Sequence, residues 1–208
     1  MSPSDGSPDP YWNHNVHYHR LVLDAVPDGC ARALDIGCGD GLLVRKLAGR
    51  IQEVTGVDRS AEMIRLAREG GAQVPNATFV EADFMTADGV AAGGHDLITA
   101  VAVIHHLDFV AAAGRMAELL APGGRLVIVG LASNGTPLDW IISGAGVPAA
   151  RILARRRGGK SGPPGMPIED TDMTWREVRR AARDCLPGSR FRRHLLWRYS
   201  LVWDKPRS

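Results

Sequence analysis

Cysteine is scarce in this 208-residue chain. Cys30, Cys38 and Cys185 are widely spaced, odd in number and form no C-x-x-C pair, which argues against a disulfide framework and against a zinc site. Long apolar runs are absent too. The longest, such as Leu97 to Ile104, are far too short to cross a bilayer, and no basic start followed by an apolar stretch marks a secretory leader. A cytoplasmic protein is expected. Lysine is nearly missing, with 3 against 22 arginines, a bias of composition rather than of mechanism. Net charge is only +2, so no strong field draws the chain to nucleic acid or to a membrane. What remains is ordinary for a globular protein of one domain, with 45% hydrophobic and 23% charged residues.

Residues 1–10 are rich in Pro, Ser and Asp and read as a disordered tail. A helical lead-in follows from Tyr11 to Val26, ended by Pro27 and Gly29. Strand and helix patterns then alternate. Strands are expected at Ala31–Ile36, Glu53–Val57, Ala77–Glu81, His95–Ala102 and Arg125–Leu131. Helices are expected at Leu42–Arg50, Ser60–Glu69 (with Ser60 as N-cap) and Asp108–Leu120. Repeated strand–helix units predict a parallel sheet flanked by helices. The last third differs: a glycine-broken helix around Leu138–Ile142, a basic Gly/Pro-rich loop or lid at 151–167, a helix at Thr174–Asp184, then strands at Ser189–Trp197 and Tyr199–Lys205. These two strands predict an antiparallel hairpin at the sheet edge. One domain is expected over residues 11–208: a helical cap at 11–30, a binding core at 31–131, and an acceptor-side lid with hairpin at 132–208.

The sharpest local signal is LDIGCGDG, residues 34–41. Asp35 ends a strand, and Gly37, Gly39 and Gly41 follow at every second position. Glycine permits positive φ and close backbone approach to a ligand, and the turn opens a helix whose first amides would face that ligand. Two more strands end in acids, Asp58 in VTGVD and Asp83 in EADF. A carboxylate at Asp58 can accept from both hydroxyls of a ribose, and one at Asp83 from an adenine amine, with Phe84 near the purine face. Equally, Asp58 could cap a helix and Phe84 could be core. Consecutive strands ending in acids suit a nucleoside crevice outside the carboxyl edge of an open sheet. The nicotinamide fingerprint G-x-G-x-x-G/A fails, because Leu42 stands at its last position.

The D-x-G-x-G-x-G loop resembles motif I of class I S-adenosylmethionine-dependent methyltransferases, and LAPGGRLVIVGL (residues 120–131) resembles a later motif of that family. The resemblance covers residues 31–131, about half the chain. It implies a Rossmann-like α/β fold with a seven-stranded, mostly parallel sheet, a C-terminal antiparallel hairpin and helices on both faces. It also implies S-adenosyl-L-methionine as cofactor, held by Tyr18, Asp35, Gly37, Cys38, Gly39, Gly41, Asp58, Arg59, Asp83, Phe84, Ala100 and Val101. No metal is called for, since a sulfonium methyl is already activated. Tyr18 is preferred to Tyr11 as the N-terminal aromatic that closes over the cofactor.

Small-molecule members of the family often carry a histidine after strand four, as His105 and His106 stand here, and the resemblance favours His105 as the base or acceptor-orienting residue, with a helix-capping or structural histidine as the alternative. The acid that some C- and O-methyltransferases with this histidine pair carry at the end of strand five is replaced by Gly130 and Leu131, leaving Asp139 as its substitute or as a solvated acid at a helix start. Trp140, Trp175, Trp197 and Trp203 are either acceptor-pocket residues or core. The expected partner is a small-molecule methyl acceptor, with no nucleic acid and no membrane, and a homodimer left open. The tetrapeptide of amino-group nucleic-acid methyltransferases is replaced by AVAV. HNVHYHR and LLWRYSLVWDKP further resemble bacterial specialised-metabolism enzymes, some of which methylate an indole carbon of tryptophan-derived diketopiperazines. O-methylation of a phenol or carboxylic acid is the alternative, and a non-catalytic cofactor-binding member a third.

Overall fold

The computed structural model describes residues 9–86, 94–156, 159, 161 and 171–207, without the side chains of His106, Ala145 and Ala149. Seven strands, β1 (Arg32–Ile36), β2 (Glu53–Asp58), β3 (Ala77–Glu81), β4 (His95–Val101), β5 (Leu120–Leu131), β6 (Arg190–Arg193) and β7 (Arg198–Asp204), form one sheet in the order β3-β2-β1-β4-β5-β7-β6. β1 to β5 pair in parallel, and β7 runs antiparallel to both β5 and β6. The seven-stranded mixed sheet expected from the sequence is therefore present. Seven helices accompany it: α1 (His14–His17), α2 (His19–Asp24), α3 (Leu42–Ala48), α4 (Ala61–Gly71), α5 (Phe109–Leu119), α6 (Pro137–Arg156) and α7 (Trp175–Cys185). No helix among the described residues is long and apolar enough to cross a membrane.

The central strands β1, β4, β5 and β7 are buried on both faces because their side chains alternate between two cores. Leu34, Ile36, Ile98, Ala100, Leu126 and Ile128 pack toward Met116 of α5 and Val178 of α7. Their neighbours Ala33, Leu97, Val127 and Val129 pack toward Val44 and Leu47 of α3, Ile64 of α4 and Val22 of α2. A helix layer on each face follows. Local caps set the helix starts: the Ser60 hydroxyl accepts from the Met63 amide at 3.3 Å, the Asp108 carboxylate from Ala111 at 2.8 Å, and Thr174 forms a capping box with Glu177.

Three expectations are corrected. α6 is continuous over 20 residues despite Gly144, Gly146 and Pro148, because Ala150, Leu153 and Ala154 pack against the second core. Packing there outweighs local propensity. The strand expected at Ser189–Trp197 stops at Arg193. There the chain turns: the His194 amide donates to the Arg198 carbonyl at 2.8 Å, and Leu196 and Trp197 take φ of 58° and 56°, so that Leu196 can bury itself against the cap. The lead-in is two short helices rather than one, broken at Tyr18. Of the expected tail, residues 1–8 lie outside the described residues, and Asp9 pairs with Lys46 at 2.5 Å. Of the expected lid at 151–167, residues 151–156 finish α6, and most of the remainder lies outside the described residues.

Candidate active site

The chain order reverses between β1 and β4, and a cleft opens outside their carboxyl ends, where open α/β sheets bind ligands. One wall is the glycine loop with Asp35, Gly37, Cys38, Gly39 and Asp40; the other is the cap, through Tyr11, Asn13, Asn15, Val16 and His19, with Val101 of β4 at the base.

The loop is held by its own backbone. The amides of Gly37 and Cys38 donate to the Val57 carbonyl at 2.7 and 3.1 Å. Gly37, Gly39 and Gly41 have φ of 66°, 53° and 73°. Two of these glycines are also packed: a Cβ on Gly37 would stand 2.2 Å from Val103, and one on Gly41 2.5 Å from Phe79. Gly39 is different, with nothing within 4 Å of the place a Cβ would take, so a ligand can lie directly on its backbone. The first amide of α3, that of Leu42, already donates to Asp40 at 3.2 Å, so the helix start does not offer the ligand that group.

Asp35 is 3% exposed and accepts from the Thr99 hydroxyl at 2.6 Å. Burial pushes its carboxyl up to about 7, against the pull of Thr99, and the nearby Asp58 adds to the rise. Asp58 accepts from the Gly39 amide and from the Ser60 amide, both at 2.9 Å, which ties the end of β2 to the loop. It stands beside the loop as expected, and the cap of α4 is Ser60 and not Asp58. Arg59 is exposed at the end of β2. Asp83 is exposed just past β3 and accepts from Met85 at 2.9 Å, while Ala82 donates to the Asp58 carbonyl at 3.0 Å, so the two acids share one edge. Phe84 is 5% exposed within the α5-side core, so its side chain is a packing residue. Ala100 is fully buried in that core as well, and Val101 faces the cleft. The Cys38 thiol is pushed up by burial and by the carboxylates of Asp35 and Asp58, which keeps it protonated and out of nucleophilic chemistry.

Tyr18 does not line this cleft. It is 6% exposed, its hydroxyl donates to the Leu195 carbonyl, and its ring meets His17 and His194. Tyr11 stands in the place expected of Tyr18, with its hydroxyl donating to Asp40 at 2.9 Å. Asp139 is likewise committed elsewhere. Its carboxylate accepts from the Thr136 amide and hydroxyl and pairs with Arg193 at 2.6 Å, which holds it below the usual carboxylate range and makes it a helix-start acid. Trp175 and Trp203 are core, and Trp140 is 67% exposed on α6.

His105 sits half-buried in a single 3-10 turn, Ile104–His106, directly after Val103, whose side chain covers Gly37. The His106 side chain lies outside the described residues. The turn is launched by Ala102, whose φ is 58° and whose amide donates to the Val129 carbonyl at 2.7 Å. Non-glycine residues in that region cluster at functional sites.

Sequence reasoning missed Asn13, Asn15 and His19. Asn13 accepts from the amides of Asn15 and Val16 as the cap of α1, a signal present in the Asn before HNVH. His19 is 7% exposed, and burial with the neighbouring Lys46 pulls it down to about 3, so it is neutral. Lys46 lies 3.3 Å from its Nδ1, which leaves the ring proton on Nε2. The cleft offers an open backbone at Gly39 and a buried acid at Asp35, and the partly exposed acid Asp58 stands behind Gly39, whose amide it accepts from. Such a set suits a ligand that combines a cation with vicinal hydroxyls.

Residues 33–124 match the model of a methyltransferase domain. The chain is 36% identical over 208 residues to an uncharacterized methyltransferase of Mycobacterium tuberculosis, covering 95% of this chain and 99% of that one. It is 34% identical over 158 residues to a ubiquinone biosynthesis O-methyltransferase of Xanthomonas axonopodis, covering 73% of this chain and 64% of the relative. Among solved structures it is similar to the N-methyltransferase NodS of Bradyrhizobium japonicum in complex with S-adenosyl-L-homocysteine. That likeness has a TM-score of 0.60 at 18% identity over 92% of this chain and 87% of that one.

Proposed function

The chain belongs to the class I S-adenosylmethionine-dependent methyltransferases, and from that premise we propose that it methylates a small molecule in the cleft between its cap and its glycine loop. The observation that carries this reading is the cleft's second wall. It is built by the chain's own residues 11–19, which close one side of the cleft against the glycine loop and make it a concave site of the kind that takes small ligands. A polymer substrate would need an open face there instead.

S-adenosylmethionine, when bound, supplies a methyl group on a positively charged sulfur. The residues present fit it: Gly39 leaves room for close approach, Asp58 would hold the ribose hydroxyls, Asp83 the adenine amine, and Asp35 the cationic amino-acid end. Asp58 keeps lone pairs to spare while it accepts from Gly39 and Ser60. Asp58→Ala is expected to weaken S-adenosylhomocysteine binding about tenfold or more by calorimetry, since a charged hydrogen-bond acceptor is lost and the loop amides lose their anchor. Unchanged affinity would remove Asp58 from this role.

His105 acts on the acceptor. It follows Val101 and Val103, the residues of β4's exit that touch the cleft and the glycine loop. With Asp139 bound to Arg193, His105 works without that acid as partner, as a base or as an orienting group. His105→Ala is expected to lower turnover about 10²–10⁴-fold with cofactor affinity nearly intact, measured by S-adenosylhomocysteine release and calorimetry on the same samples. Full activity would retire it. The acceptor atom we favour is a hydroxyl oxygen, because a relative covering 73% of the chain is named for O-methylation and a hydroxyl must lose a proton to a base. Mass spectrometry of metabolites from cells with and without the protein tests this; a mass gain of one methyl on an indole carbon would instead favour the diketopiperazine-type acceptor.

A further inference from the structure

Arg198, the first residue of β7, is only 8% exposed, yet its protein partners are all neutral. Nε and Nη2 donate to the Asn15 side-chain oxygen at 3.3 and 2.8 Å, and Nη1 donates to the Leu196 carbonyl at 3.3 Å. No carboxylate pairs with it among the described residues. A buried charge without a counter-charge is costly, and a neutral amide would tie Asn15 to the hairpin without that cost. Three donated bonds leave one N–H on each terminal nitrogen of the guanidinium for a charged acceptor. The nearby Tyr18 phenol supplies no charge either, since burial keeps its hydroxyl protonated up to about 12.

The position matters as much as the charge. Arg198 is in register with Leu131, at the carboxyl end of β5, while Val101 at the cleft base is in register with Val129. Arg198 therefore stands on the same sheet edge as the cleft, two strands across from β4, on the side away from Asp58 and Asp83. Asn15 joins the two places: it accepts from Arg198 and it lines the cleft. Leu196 and Trp197 hold positive φ at this hairpin tip, where the chain folds back on the cap.

Building on the methyltransferase reading of the cleft, we propose that Arg198 anchors an anionic group, a carboxylate, carried by the acceptor. The carboxylate is held rather than methylated, because pairing with the guanidinium lowers its nucleophilicity and keeps it two strands from β4. Benzoate and indole-3-acetate are compared with their neutral amides, benzamide and indole-3-acetamide, by calorimetry and by the side-chain Nε–H spectrum, in the presence of S-adenosylhomocysteine. The acids are expected to bind about tenfold or more tightly than the amides and to shift the Arg198 Nε–H signal. Arg198→Gln is expected to abolish this preference and Arg198→Lys to keep part of it, with S-adenosylhomocysteine affinity unchanged in both. Equal binding of acids and amides to the natural protein, no binding of either acid, or a preference that survives in Arg198→Gln overturns the proposal. The first two outcomes decide even where Arg198→Gln fails to fold. Loss of S-adenosylhomocysteine binding by the natural protein would instead strike the reading of the cleft itself.

Discussion

Asp35→Asn is expected to make the protein more stable and less able to bind its cofactor. In the folded chain the Asp35 carboxyl is pushed from 3.8 up to about 7 by burial. A folded-state value above the unfolded one means that the folded protein prefers the protonated form. Its contribution to stability is fully present below the unfolded value and is lost as pH rises through about 7. A shift of that size corresponds to at most about 4 kcal/mol above neutrality, and burying the new amide takes back part of it. A net gain of about 2 kcal/mol would raise Tm by about 4–8 °C for a chain of this length. Asparagine keeps an acceptor for the Thr99 hydroxyl, so the packing is preserved. The cost of the buried amide does not vary with pH, so the variant should be less stable than the natural protein at pH 4, gain on it toward pH 7 and level off above that at its net advantage. Cofactor binding should move the other way, because an ionised Asp35 favours a cationic ligand. Affinity of the natural protein should rise with pH through about 7 and that of the variant should stay flat and about 30-fold weaker at pH 8. Thermal melts and calorimetry at pH 4, 6 and 8 measure both. A variant that melts lower at pH 8, or binds as tightly as the natural protein, would refute this assignment of Asp35.

Gly37→Ala should be severely destabilising and nearly inactive. The added Cβ meets Val103 at 2.2 Å on one side-chain carbon and 3.2 Å on its Cβ, a β-branched residue that cannot swing aside. The backbone at φ 66° adds its own cost for an L side chain. Overpacking at about 1–3 kcal/mol and about 1 kcal/mol for the backbone sum to a loss of about 2–4 kcal/mol in chemical denaturation. Turnover should fall further than stability alone explains, because Val103 leads directly into the turn that carries His105. The double variant Gly37→Ala, Val103→Ala separates the two costs. It should regain the packing part and leave the backbone part, a coupling of about 1 kcal/mol or more. Strict additivity would mean that the two residues do not press on each other in solution.

The parallel sheet was legible because short apolar segments alternate regularly with helical patterns, and the fourth strand carries the apolar run of a strand covered on both faces. β3 was read at its true ends, and β1, β2 and β4 within one residue of theirs. The cap at Ser60 was legible for a local reason, a short polar side chain ahead of a periodic helix, and the helix start at Asp108, whose carboxylate proves to be a cap, was read at its place. The cap over the cleft was not. Tyr11 and Tyr18 stand in one short aromatic-rich segment, and the choice between them depends on Leu195, a residue 177 positions from Tyr18, whose carbonyl takes the Tyr18 hydroxyl. Asp139 shows the same limit, since its partner Arg193 is 54 positions away. α6 was misjudged because glycines and a proline argue against a helix locally, and only contact with the second core outweighs them.

By itself, then, the order of residues determined the strand–helix alternation, the glycine loop and the acids that end β2 and β3, since each depends on neighbours a few positions away. Which side chains meet across the cleft was decided only by the tertiary structure. Folding β7 beside β5 and the cap over β4 brings Asn15 to Arg198 and Tyr11 to Asp40, and pairings at such sequence separations leave no periodic trace in the chain.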